Sequence, residues 1–269
     1  MKRLLLLFVF ACFLTSCNVT ESIVFNKDMG GEYTSSFDLS PMMNYANSNR
    51  PSSVERPAKE KIDTTIVFND LFETHKDSIA ALSADQRERM EKLRGMVMDM
   101  HMNEEEGVFE FHMTKPFVAF EELKSITEQV DDALDVAKGV GNSDGQAPEG
   151  QLDELTKTDK ITYSFDNNTF SRYHPELPET SDLEDDMDEE EDGYEEEESD
   201  MAKQFEMQFE EIFSTAYYTL VYKFPRKVKS VSQIGAVISE DGKTVTYRVA
   251  MSDMHKNNTL MNIDVVLED

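Results

Sequence analysis

Between residues 96 and 114 the side chains sort into two alternating sets. Met96, Met98, Met100 and Met102 fall on one phase, and Val97, Asp99, His101 and Asn103 on the other. After Glu104–Gly107, Phe109, Phe111 and Met113 alternate with Glu110, His112 and Thr114. A period of two sorts side chains onto the opposite faces of an extended strand and cannot form the stripe of a helix. The run predicts a hairpin with Met102 opposite Phe109, one apolar face and one polar face. With no Trp in the chain, such faces must draw on its 17 Phe and 16 Met to build a core.

Similar patterning recurs along the chain. Residues 21–40 read as a hairpin, SIVF and EYTSSFDL around Asn26–Gly31, whose glycines would take the positive φ of the turn. Residues 41–60 read as a loop rich in Pro, Ser and Asn, with a short helix near Met42 and Met43. IDTTIVF (62–68) is a strand and a candidate partner for the C-terminal strands. Leu71, Phe72, His75, Ile79 and Leu82 keep helical spacing, with Asn69 as candidate N-cap, and Ser83 with Gln86 forms a capping box for a helix to about Leu93. Residues 117–137 return to helical spacing through Phe120, Leu123, Val130, Leu134 and Ala137. ITYSFDNNTFSRY (161–173) is a hairpin turning at Asn167 and Asn168. Phe205, Phe209, Ile212, Phe213 and Ala216 mark a helix, and the remainder is strand: YYTLVYKF, AVIS, TVTYRVAM and the region of TLMNIDVVL, with a turn at Glu240–Gly242. The fold class is α+β: antiparallel β-sheet built from hairpins, packed with a few amphipathic helices. The pattern leaves open one sheet or two subdomains.

Two stretches interrupt the pattern. Residues 139–151 (GVGNSDGQAPEGQ) have linker composition. Residues 174–201 hold 16 acidic side chains and no Lys or Arg, so mutual repulsion and scarce apolar surface predict disorder. The divisions are 1–16, a leader; 17–60, the N-terminal hairpin and loop; 61–173, an α+β region; 174–201, the acidic linker; and 202–269, a helix and the strands that complete the fold.

Charge and cysteine usage exclude whole classes of function. The net charge of −29 removes nucleic acid as a partner, because phosphates require a Lys/Arg surface. Both cysteines, Cys12 and Cys17, lie in the first 17 residues, which leaves the folded part without disulfide or thiolate chemistry. Lys2 and Arg3 precede the apolar run LLLLFVFACFL (4–14), which has signal-peptide length and is too short to span a bilayer. The run ends at Leu14-Thr15-Ser16-Cys17, which resembles a bacterial lipobox. That resemblance implies cleavage before Cys17, a diacylglycerol on its thiol and an N-acyl chain, with no other cofactor. Two or three acyl chains hold a protein stably on a membrane where one does not. Asn18, in place of the aspartate associated with inner-membrane retention, points to the outer membrane, facing the periplasm, with the loop after Cys17 setting the reach.

Several residue groups invite a site. On the hairpin's polar face Asp99, His101, Glu110 and His112 would cluster in the Met102–Phe109 register. Two imidazoles and two carboxylates could hold zinc at about 2.0–2.2 Å, against the alternative of a solvated face, and a one-residue slip would disperse them. The Met ladder is read as core in preference to a Cu(I) site, since thioethers fill irregular gaps. Asp188, Glu190, Asp192, Gly193, Tyr194 and Glu196 follow EF-loop spacing, but position 12 is Ser199 where a bidentate glutamate is required. Gly141-Asn142-Ser143-Asp144-Gly145 matches a nucleophile elbow without the strand and helix that motif needs. His75 is expected to be a semi-buried packing residue, and His174 and His255 show no partner.

The chain is similar to lipoproteins of Bacteroidetes in Cys17, SIVFN, Asp28–Gly31 and SFDLSPMM (36–43), with FP-x-x-V (224–228) and SEDGKTVTY (239–247) at the other end. It also resembles the lipoprotein domain named LppM. These resemblances imply location and no site residues. The expected function is that of a lipid-anchored, non-enzymatic cell-envelope protein with an interaction or structural role. The membrane is its first partner, and a basic protein could dock on the acidic tract. The alternatives are a carrier of a hydrophobic ligand in a cavity, or a metal-binding protein.

Overall fold

The computed structural model describes residues 18–49, 61–127, 129–130, 161–174 and 216–269. Their core is two β-sheets face to face. The large sheet has eight strands in the order β10-β11-β8-β1-β2-β5-β4-β3, and the small one four, in the order β6-β7-β12-β9. The strands of the large sheet are β1 (Asn18–Phe25), β2 (Gly31–Asp38), β3 (Lys61–Val67), β4 (Val97–Asn103), β5 (Val108–Phe117), β8 (Tyr217–Lys223), β10 (Val237–Ile238) and β11 (Thr244–Ala250). Those of the small sheet are β6 (Thr162–Asp166), β7 (Thr169–Tyr173), β9 (Val228–Val231) and β12 (Ile263–Leu267). All pairings are antiparallel except β1 with β8. The α+β architecture therefore stands as the alternation predicts, resolved into two sheets.

The β4–β5 hairpin has the expected register: Met102 faces Phe109, Asp99 faces His112 and His101 faces Glu110. Its apolar phase points inward. Met98, Phe111 and Met113 are buried, while Met100 and Phe109 pack against the core half-exposed. Met supplies the core here, as the reading of the ladder required.

Several local expectations are corrected. In the β1–β2 turn the positive φ belongs to Met29, at 62°. Gly30 and Gly31 are needed for another reason: a Cβ would lie 2.3 Å from the Val118 carbonyl oxygen at Gly30 and 2.1 Å from that of Val24 at Gly31. The helix expected near Met42 and Met43 is longer than predicted, α1 (Ser40–Asn49), and the rest of that stretch, 50–60, lies outside the described residues. Pro41 suits its first turn, where no N–H is required, and Asp38 Oδ1 accepts the Ser40 N–H at 3.0 Å. The next helical region divides at His75 into α2 (Phe68–Thr74) and α3 (Lys76–Ala80). Val67 occupies the N-cap position, and Asn69 instead accepts the Gly95 N–H at 2.9 Å, closing the loop before β4. His75 is exposed, not semi-buried. The Ser83–Gln86 capping box opens α4 (Ala84–Lys92) as expected.

β3 pairs only with β4 and forms an edge of the large sheet, far from the C-terminal strands. The N-terminal strand that meets the C-terminal region is β1. The helical residues 120–127 and 129–130, α5, bury Leu123, Ile126 and Val130. Asn167 and Asn168 take φ of 47° and 63° in the β6–β7 turn, the geometry that favours Asn in a two-residue hairpin. β9 was not anticipated, and TLM of the last run forms a 3-10 turn (Asn258–Met261), following the short helix α6 (Met251–Lys256). Leu134, Ala137, the 139–151 linker, the acidic tract with its EF-like spacing, the Gly141–Gly145 motif and Phe205–Phe213 lie outside the described residues.

The space between the sheets is filled by aromatic side chains. Phe170 of β7 stands edge-on to Phe25, Tyr222 and Phe224, with ring centroids 5.3, 5.0 and 5.7 Å apart. Phe25 stacks on Phe224 at 5.3 Å. Such pairs add roughly 0.5–1.5 kcal/mol each beyond their area burial.

Candidate functional site

The outer face of the large sheet is polar across its width. One row, following the pairings from β3 to β8, reads Asp63, His101, Glu110, Asp38, Asn18 and Tyr217. The next reads Thr65, Asp99, His112, Ser36, Thr20 and Thr219. Asp99, His101, Glu110 and His112 are thus neighbours on one face, in the register the sequence predicted. They do not converge as ligands: among the described residues no three His, Cys, Asp or Glu side chains could hold a metal ion together. Cross-strand pairing places the four side by side on one face, whereas a tetrahedral site needs them aimed at one point. Asp99 is held by the Thr65 hydroxyl at 2.6 Å. At the β8 side Arg248 lies over the Tyr217 ring at 3.5 Å, a cation–π contact.

A second polar group lies between the sheets. Along β1 the inward positions are Val19, Glu21, Ile23 and Phe25, so Glu21 interrupts an apolar series. Opposite it, β7 turns Arg172 inward. Both are sealed, with side-chain exposures of 0% and 1%. Arg172 Nε donates to Glu21 Oε1 and Oε2 at 3.3 and 3.2 Å, Nη2 to Oε2 at 3.1 Å, and Nη1 to the Met261 carbonyl at 3.1 Å. From β8 the Tyr218 hydroxyl donates to Oε2 at 3.2 Å and the Tyr222 hydroxyl to Oε1 at 2.5 Å. A buried carboxylate is tolerated when its charge is paired and its lone pairs are filled, and both conditions are met.

Ionisation follows from this packing. Burial, then the Glu21 charge, pushes the Tyr218 and Tyr222 phenols far above their ordinary range, so both stay protonated and donate. Tyr163 is pushed up by the same causes, and its buried hydroxyl has no hydrogen-bond partner among the described residues. Burial works against the Arg172 charge, but Glu21 beside it outweighs that, and the guanidinium is held well above its usual value. Sequence reading missed this group. The legible signal was a lone charge at an inward position of an alternating strand, once in β1 and once in β7.

The remaining histidines divide. His174 is engaged: its Nδ1 lies 2.6 Å from Asn258 Nδ2, and its backbone N–H donates to Asn262 Oδ1 at 2.6 Å. The side chain of His255 lies outside the described residues. Cys17 also lies outside them, but Asn18, to which it is bonded, already belongs to the ladder, paired with Asp38 and Tyr217. Among the described residues no loop separates the two, contrary to the expectation that a loop after Cys17 sets the reach. No helix of the described residues is long and apolar enough to cross a membrane.

No protein-family model matches the chain, and no curated protein matches it. Among solved structures, the fold is distantly similar to the NMR structure of the folded domain of the Mycobacterium tuberculosis LppM protein. The TM-score is 0.38 at 9% identity, over 94% of this chain and 91% of that one.

Proposed function

We propose that the chain is a lipid-anchored protein of the bacterial cell envelope, acylated on Cys17, held on the outer membrane facing the periplasm, with an interaction or structural role and no catalysis. The observation that carries the reading is the order of the first 18 residues: a basic start, an apolar run of leader length, Leu14-Thr15-Ser16-Cys17, and then a strand of the sheet at once. The one densely charged cluster among the described residues that is fully buried, Glu21 with Arg172, is sealed from any substrate and serves the fold. The polar outer face, with its rows of Ser, Thr, His and carboxylate side chains, is the surface on which a partner would dock. The acidic residues of 174–201 would attract a basic partner with strong salt dependence. The carrier reading draws no support from the space between the sheets, which Phe25, Phe170, Tyr222 and Phe224 fill.

Mass spectrometry of the N-terminal peptide from protein extracted with native membranes tests the reading. The expected result is a peptide starting at Cys17 and carrying acyl mass, lost with membrane association in Cys17→Ala. An unmodified N-terminus in the soluble fraction would overturn it.

A further inference from the structure

We propose that the anchor holds the sandwich end-on: the end of the large sheet that carries Asn18 and the β4–β5 turn rests on the headgroups of the membrane. The inference rests on acylation of Cys17 as proposed above, and adds the surface and its orientation.

The argument starts from chain length. Consecutive Cα atoms are about 3.8 Å apart, so an acylated Cys17 cannot stand farther than that from Asn18. Asn18 is not free to swing away, because it is paired on both sides, with Asp38 of β2 and Tyr217 of β8. The lipid is therefore tied to the middle of an eight-stranded sheet through one peptide unit, and the sheet must follow it to the membrane surface.

The pairings then say what else arrives there. The Asn18 row continues through Asp38, Glu110 and His101, and β4 and β5 run two residues past it to the Asn103–Val108 pair. At roughly 3.3 Å per residue, the hairpin extends about 7 Å beyond Asn18. The Glu104–Gly107 turn therefore reaches headgroup level. It is rigid: Asn103 Oδ1 accepts the Glu105 and Glu106 N–H groups at 3.1 and 3.3 Å, and Asn44 of α1 donates to the Gly107 carbonyl at 3.0 Å. Beyond the other flank of Asn18 stands the Arg248–Tyr217 stack, an aromatic and a cation of the kind that suits an interface. The opposite end, with the Asn26–Gly30 turn, lies seven residues farther along β1, about 23 Å away. Among the described residues carboxylates dominate the membrane end, with Asp38, Asp63, Glu110, Glu104–Glu106 and Asp253 against Lys61, Arg248 and Lys256. The surface that fits is therefore one of zwitterionic phospholipid headgroups, since an anionic surface would repel this end.

The test uses the full, acylated chain. Its acylated form keeps no free thiol, because Cys17 is blocked and Cys12 leaves with the leader, so a single introduced cysteine carries the label. Glu105→Cys and Lys27→Cys place a fluorescent donor at exposed positions of the two ends. Each is reconstituted in phosphatidylcholine vesicles that carry an acceptor on a small fraction of headgroups. The inference expects much stronger energy transfer from position 105 than from position 27. A ~20-residue Gly/Ser linker inserted between Cys17 and Asn18, with a root-mean-square length of about 25 Å, should abolish most of the difference. Equal transfer at the two positions without the linker, or stronger transfer at 27, overturns the end-on orientation. A difference that survives the linker overturns the role of the short anchor. The acyl mass of each sample is measured first, so that a chain lacking it counts against the proposed function and not against the orientation.

Discussion

Replacing Arg172 with Met is the sharpest probe of the fold. The guanidinium is 1% exposed and donates three hydrogen bonds to a carboxylate that is 0% exposed. Its loss leaves Glu21 buried with only the Tyr218 and Tyr222 hydroxyls as donors. Breaking a buried pair from one side costs about 3–5 kcal/mol, a large share of the roughly 5–15 kcal/mol that holds a domain folded. Glu21→Met should cost more. It strands the guanidinium and also removes the acceptor of two tyrosines, each worth about 1–3 kcal/mol when left unsatisfied. The double variant Glu21→Met with Arg172→Met removes both charges and refills the volume, so what remains is chiefly the two orphaned hydroxyls, roughly 2–6 kcal/mol. Urea unfolding of the four proteins, followed by tyrosine fluorescence and extrapolated linearly, yields the cycle. The double variant should be more stable than the sum of the singles predicts by about 6–10 kcal/mol, because each single strands one buried charge at about 3–5 kcal/mol and the double strands neither. Additive costs, or an Arg172→Met cost below about 1 kcal/mol, would refute the idea that the pair is sealed and mutually dependent.

Three further outcomes are expected. Tyr163, Tyr218 and Tyr222 have folded-state pKa values raised above the unfolded value near 10, so the folded state keeps protons that the unfolded state releases. Stability should be unaffected by these groups below about pH 10 and fall above it, by up to about 4 kcal/mol per pH unit for three groups, with tyrosinate absorbance rising only as the chain unfolds. Titration calorimetry with zinc should show no stoichiometric site, and His101→Ala with His112→Ala should leave that result unchanged; a tight equivalent lost in the double variant would contradict the dispersed geometry of that face. Gly31→Ala should lower the melting temperature far more than Gly95→Ala. The first places a Cβ 2.1 Å from the Val24 carbonyl oxygen, whereas the second meets nothing within 4 Å and carries only the strain of φ +81°, about 1 kcal/mol.

Much of the architecture is legible in the sequence, for a local reason. Alternation at 96–114 assigned each residue to a face, and the short turn at Glu104–Gly107 set the register, so Asp99, His101, Glu110 and His112 fall where they were expected. The Ser83–Gln86 box and the Asn167–Asn168 turn are also local chemistry and were read correctly. The errors arise where distant chain intervenes. Asn69 leaves its expected capping role for the Gly95 N–H, 26 residues on, and the glycines of the first turn answer to Val118 and Val24 and not to their own φ.

Sequence by itself carries the lipobox-like order that ends at Cys17, the strand periodicity and the charge of the acidic tract, because each is written in neighbouring residues. Tertiary structure alone decided which strands became partners. Periodicity assigns a face but never a neighbour, so nothing in β1 announced a parallel pairing with β8, or an arginine 151 residues away to meet Glu21. That choice belongs to the whole chain, because a buried carboxylate persists only where the fold brings a matching charge and enough donors to it. The same long-range pairing fixes Asn18 between two strands, the constraint from which the proposed end-on orientation is argued.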